Sequence, residues 1–207
     1  MSAEVVPLPR KEASLAPILN LTATAMNAVN AIILDRMQSE IPLIPAAKKL
    51  QDEVLGAPSF QEADESLLDE ERRAVEAFKK TSLMIFGLAM QTYGMKLSDE
   101  QEVLMLLADM LIDVFAAESA VLRAQAAAAA SAAHADLHAD AARVFVNDAA
   151  MRMDANARQA LAAMSEGDTL RTMLAALRRV LKVMPVNTVA LRRRIAGEAA
   201  SRGGYIF

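Results

Sequence analysis

A chain of 207 residues is long enough to bury one sizeable core, or at most two small ones, and the absence of cysteine excludes disulfides, thiolate metal sites and a cysteine nucleophile. Apolar residues make up 54% of the chain but aromatics only 4%; the excess lies in Ala, Leu and Met, strong helix formers, which predicts an all-α bundle of about six to seven helices. Net charge is −4 but unevenly placed: from Asp168 onward eight Lys and Arg face two acids, a local +6 that leaves −10 before it, so the two portions attract.

Residues 1–13 carry no basic region followed by an apolar core and read as a flexible lead-in rather than a secretory signal, ahead of a single helical domain over 14–207. Ser14 caps a first helix with Pro17 in its opening turn. The helix runs to Glu40 with Ile18, Leu21, Ala25, Val29 and Ile32 or Ile33 on one face. A short second helix covers Pro45 to Leu55, and an acidic loop continues to Glu65. Ser66 and Asp69 have capping-box spacing and open a third helix that reaches Leu97. Its stretch Leu83 to Met90 is apolar all round, which marks an enclosed segment. That stretch is also the longest continuous apolar run, under half of the roughly 18 to 20 residues a membrane-spanning helix needs.

Ser98 to Gln101 reads as a capping box for a fourth helix through Val103, Leu107, Met110, Val114, Ala117 and Val121. No Gly or Pro follows until Gly167, yet one helix of that span would be about 100 Å long, against a radius of gyration of about 17 Å for a compact chain of this size. A break is therefore expected in the Ala-rich stretch Ala124 to Ala135. Asp136 then caps a fifth helix containing Val144, Phe145, Met151 and Leu161. Asp168 caps a sixth, through Leu170, Leu174, Leu177 and Leu181, that stops at Pro185. Asn187 caps a seventh, ended by Gly203 and Gly204.

Candidate chemistry is sparse. Asp109 and Asp113 lie four apart on one helix between Glu102 and Glu118, and paired carboxylates hold metals or move protons, but a di-iron bundle requires Glu-x-x-His elements that are missing here. These acids are expected to pair with Arg123, Arg143 and other bases between helices. His134 and His138 have i,i+4 metal-ligand spacing but no third ligand at a related spacing, and read as surface histidines. There is no glycine-rich phosphate loop and no nucleophile elbow. Arg178-Arg179 and Arg192-Arg193-Arg194 lack aromatic interleaving in an acidic chain, so they read as solvated or ion-paired helix faces rather than a nucleic-acid surface. No catalytic, cofactor-binding or metal-binding residue is assigned.

Five segments in fixed order carry a resemblance. They are Glu40-Ile-Pro-Leu-Ile-Pro-Ala-Ala-Lys-Lys-Leu50 with Asp52-Glu-Val54; Lys96-Leu-Ser-Asp-Glu-Gln-Glu-Val-Leu-Met105; Ala108-Asp-Met-Leu-Ile-Asp-Val114 with Ala117-Glu-Ser-Ala120; Val144-Phe-Val-Asn-Asp-Ala149; and Arg192-Arg-Arg-Ile-Ala196 through Tyr205-Ile-Phe207. From about residue 30 onward the chain resembles the C-terminal helical region of the longer, very-long-chain-type acyl-CoA dehydrogenases. In that family the base is a Glu in a Tyr-Glu-Gly-Thr motif. Reading back from Pro42 puts Ile18 at the glutamate position, and the motif occurs nowhere in the chain. The resemblance implies an accessory role, without flavin or any other cofactor: an interaction module that self-associates or packs on a dehydrogenase-like subunit in the cytoplasm. Two alternatives remain. One is a subunit of a flavin-dependent acyl-CoA oxidoreductase active only with its partner, and the other is a helical protein attached peripherally to a membrane.

Overall fold

Three successive helices with apolar faces at 3.6-residue period have one economical arrangement, an up-and-down bundle, and the chain adopts it. The computed structural model describes Lys49, residues 66–204, and residues 206 and 207. The lead-in over 1–13 and the helices predicted over 14–40 and 45–55 lie outside the described residues, apart from Lys49, which is helical. Among the described residues there are five α-helices, one 3₁₀ helix and no strand. They match the third to seventh predicted helices.

Helix α1 spans Asp69–Tyr93, with Asp69, Glu70 and Glu71 in its first turn, where the helix dipole favours negative charge. The capping box predicted at Ser66 does not form: Leu68 occupies the cap position at φ 63° without a side-chain bond, and Ser66 Oγ instead accepts from Arg72 Nη1 at 3.4 Å. The helix also ends before Leu97, because Gly94 takes φ 55°, a conformation other residues resist. Gly94–Asp99 is a 3₁₀ helix that buries Leu97. Helix α2, Gln101–Ala129, thus starts later than expected, and Gln101 Nε2 donates to the Ser98 carbonyl at 2.6 Å rather than closing a box on an N–H.

The break falls at the end of the Ala-rich stretch. Ala130, Ser131 and Ala132 fold back onto the carbonyls of Ala126, Ala128 and Ala127, and His134 at φ 63° takes the cap position assigned in sequence to Asp136. Helix α3 is Ala135–Met164 and helix α4 is Gly167–Val180, capped by Glu166 instead of Asp168; Asp168 sits in the first turn and pairs with Arg171 at 2.8 Å. Helix α4 stops at Val180, well before Pro185. The prediction for α5, Thr188–Arg202, holds in full: Asn187 Oδ1 accepts from the Ala190 N–H at 3.1 Å, and Gly203 closes the end at φ 68°.

Cross-helix bonds fix the directions. Lys79 meets Glu118, and Gln125 reaches the Leu67 carbonyl, so α1 and α2 run antiparallel. Glu71 meets Arg143 while Tyr93 Oη donates to the Ala163 carbonyl, so α1 and α3 run parallel. The core is a continuous seam of Val75, Phe78, Ile85, Leu107, Met110, Met153, Leu161 and Leu177 with their neighbours. Seven alanines in α2 and α3 (117, 124, 139, 142, 149, 157 and 160) are at most 3% exposed. Such small residues let the two helices approach toward the short end of the roughly 8–10 Å interaxial range. Every residue of Leu83 to Met90 is buried or half-buried, as its all-round apolar pattern requires, and this stretch and Leu107 share one core.

Candidate functional site

Two of the four carboxylates that had the spacing for chemistry, Asp113 and Glu118, hold helices together. Asp113 on α2 is 6% exposed and accepts from Arg152 of α3, Nε at 3.1 and 3.0 Å and Nη2 at 2.6 Å. That hydrogen bonding raises Arg152 above the ordinary arginine value against the opposing effect of burial, and the guanidinium also lies 5.5 Å from the Phe145 ring centre. Glu118 takes Lys79 of α1 at 2.6 Å, and Lys79 is shared with Glu76 at 3.0 Å. Both are bases on neighbouring helices, as expected, although neither is Arg123 or Arg143. Arg143 pairs with Glu71 and Asp140, each at 3.7 Å, and Asp109 and Glu102 are exposed. The four acids therefore do not converge.

His134 and His138 are half-buried: His134 forms the α2–α3 turn, and the His138 ring packs at a 49° tilt against Phe207 with ring centres 4.8 Å apart. Among the described residues no three His, Asp or Glu side chains gather as a metal site. The basic C-terminal segment is an ion-paired face. Arg192 binds Asp148 and Arg194 binds the fully buried Asp140, both on α3. The bond to Asp140 raises Arg194 above the ordinary arginine value. The attraction expected between the basic end and the acidic remainder is thus realised within one chain.

A cleft of about 250 Å³ opens between Glu71 and Arg73 of α1, Arg143 and Asn147 of α3, and Lys182 and Val186 beyond α4. It is smaller than the roughly 300–1,000 Å³ of ordinary ligand sites. Its inner amide, Asn147 Oδ1, is committed to the Val186 N–H at 3.0 Å.

One surface is not accounted for by the bundle. On α2 the inward seam is Val103, Leu107, Met110, Ala117, Val121 and Ala124, and a second seam runs along the opposite side at the same 3-4 spacing: Met105, Ala108, Ile112, Phe115, Ser119 and Leu122. Met105 is 67% exposed, Ile112 62%, Phe115 74% and Leu122 58%, with Leu111 beside them at 53%. An apolar strip about 25 Å long on one helix is what a packing surface looks like. It was legible in the sequence as a second heptad, but the inward seam, read first, explains the helix by itself.

Among the described residues the fold is an all-α bundle in which cross-helix ion pairs tie α1, α2 and α3 together and an apolar face of α2 is exposed. Comparison with known proteins gives the family. Residues 77–179 match the family model described as acyl-CoA dehydrogenase, C-terminal domain, and the chain carries that domain. A probable acyl-CoA dehydrogenase of Bacillus subtilis (strain 168) is 36% identical over 188 residues, which cover 86% of this chain and 31% of that protein. A crystal structure of an acyl-CoA dehydrogenase complexed with FAD from Bacillus anthracis superposes with a TM-score of 0.79 at 33% identity, over 86% of this chain and 30% of that one. The chain therefore spans about a third of the length of the relatives it matches, and the resemblance seen in the sequence is to the right region of the right family. Among the described residues no helix is long and apolar enough to cross a membrane.

Proposed function

We propose that residues 14–207 form one helical domain that serves as a non-catalytic packing module of an acyl-CoA dehydrogenase assembly, self-associating or seated on a dehydrogenase-like subunit in the cytoplasm. The observation that carries this reading is the contrast on α2. Its carboxylates Asp113 and Glu118 are tied to Arg152 and Lys79, whereas its outward apolar seam is left exposed by the described helices. Groups held in cross-helix ion pairs are poorly placed to exchange protons with a substrate, and exposed apolar strips mark association surfaces. The family supports the same reading, since the matched portion is confined to about a third of each relative. A peripheral membrane role is disfavoured by the flanks of the seam, where Glu102 and Asp109 stand exposed, because membrane-surface helices carry basic flanks.

The test is spectroscopic and kinetic. The purified chain is expected to be colourless and to leave an artificial electron acceptor unreduced when given acyl-CoA substrates. Stoichiometric flavin in the isolated protein overturns the proposal.

A further inference from the structure

The cleft beside Asn147 holds polar groups that the bundle leaves unspent. Glu71 of α1 and Asn147 of α3 line it, and they are only 8% and 6% exposed. Arg143, one helical turn before Asn147, lies between the Glu71 and Asp140 carboxylates at 3.7 Å from each, beyond hydrogen-bond range. Among the described residues Glu71 therefore accepts no hydrogen bond, and the Arg143 guanidinium donates none. Asn147 gives its Oδ1 to the Val186 N–H at 3.0 Å and keeps its Nδ2 donor. Lys182 stands exposed at the rim. Independently of the packing role, we infer that this cleft is a binding site for a small zwitterion, a molecule of free-amino-acid size that bears one carboxylate and one ammonium group.

The chemistry of the walls selects that class. Buried polar groups are ordinarily hydrogen-bonded, because leaving the bond unmade costs the desolvation of the group. A lone anion on Arg143 and Asn147 would lie against the Glu71 carboxylate, and a lone cation on Glu71 would lie against the guanidinium. A molecule with both charges sets its carboxylate on Arg143, the Asn147 amide and Lys182, and its ammonium on Glu71, so that each charge meets its opposite. Between these groups the wall is Ala77, Val146 and Val183, which suits a short apolar side chain. The volume sets the size: a cleft of about 250 Å³ holds about eight waters at ~30 Å³ each, the space of about eight non-hydrogen atoms.

Amide NMR of the isotopically labelled full chain, titrated with L-methionine to about 20 mM, tests this, since that concentration saturates a millimolar site. The expected result is saturable shifts confined to Glu71, Arg143, the side-chain amide of Asn147, and Lys182 to Val186. Butyrate and butylammonium, which carry one charge each, should bind about tenfold more weakly or worse. Arg143→Gln should weaken methionine binding by about tenfold, and Lys182→Gln by less. The Lys182 side chain is exposed, so its replacement leaves the fold intact and decides the matter should Arg143→Gln lose its helical circular-dichroism signal. Shifts that do not saturate, that map elsewhere, or that butyrate or butylammonium reproduces at the same concentration overturn the inference. So does unchanged affinity in either folded variant. The packing-module reading stands or falls separately, on bound flavin.

Discussion

Removing the side chain of Leu107 is the cleanest probe of the core. The residue is 2% exposed on the inward seam of α2, in the same cluster as Phe78, Ile85 and Met153. Leu107→Ala deletes three carbon atoms, and at about 0.8 kcal/mol per buried methylene the lost transfer free energy is about 2.4 kcal/mol. A cavity term adds to this when the walls cannot move in. The alanines of α2 and α3 already hold the helix backbones in close contact, so collapse is limited, and a total of about 3–4 kcal/mol is expected. Urea unfolding followed by helical circular dichroism should show a lower midpoint at unchanged slope. Val189→Ala on α5, where the side chain is 56% exposed, is the control and should stay within about 0.5 kcal/mol. A Leu107→Ala cost as small as the control would refute the assignment of this seam to the core.

The ion pairs make two more predictions. Arg152→Ala leaves the buried Asp113 carboxylate without its partner and should cost about 2–3 kcal/mol in the same assay, most of it recovered when Asp113 is replaced by Leu as well. Hydrogen bonds to Glu118, then to Glu76, raise Lys79 above its ordinary value of 10.5. The contribution of this cluster is therefore complete below 10.5 and lost as the pH rises through the higher folded-state value. Lys79 is partly solvated, so Lys79→Gln should cost at most about 1 kcal/mol at neutral pH, with the gap to the unmodified protein closing in strongly alkaline buffer.

The all-α class and the five described helices were readable because apolar spacing reports which face is buried, and that signal survives tertiary packing. Helix starts were less readable. The side-chain caps expected at Ser66, Ser98 and Asp168 give way to backbone solutions at Leu68, Glu100 and Glu166, and only Asn187 caps as its residue type implies. Capping contributes about 1 kcal/mol, and the burial of Leu68 and Leu97 next to those ends outweighs it. That the acids pair with bases between helices was readable, but the particular partners of Asp113 and Glu118 were not. Which base reaches Asp113 depends on the stagger of α2 against α3, set by the turn at 130–134, and no local pattern encodes that stagger. The outward seam was readable and was hidden by the stronger inward one on the same helix.

Helix α5 has no fully buried side chain; Leu191 and Ile195 are half-buried, and Arg192 to Asp148 and Arg194 to Asp140 tie it to α3, with the Asn147–Val186 bond just before it. An element held by ion pairs over little fully buried apolar area exposes less new surface when it lifts than a core helix does, so its opening should depend less on denaturant and, through the exposed Arg192–Asp148 pair, more on ionic strength. The amide protons of α5 should accordingly exchange in a separate, faster class than those of α2 and α3, and should become faster still as salt is added while the interior helices keep their protection. The C-terminal helix is in this sense a hinged cover whose resting position is set by electrolyte, on a body whose integrity is not.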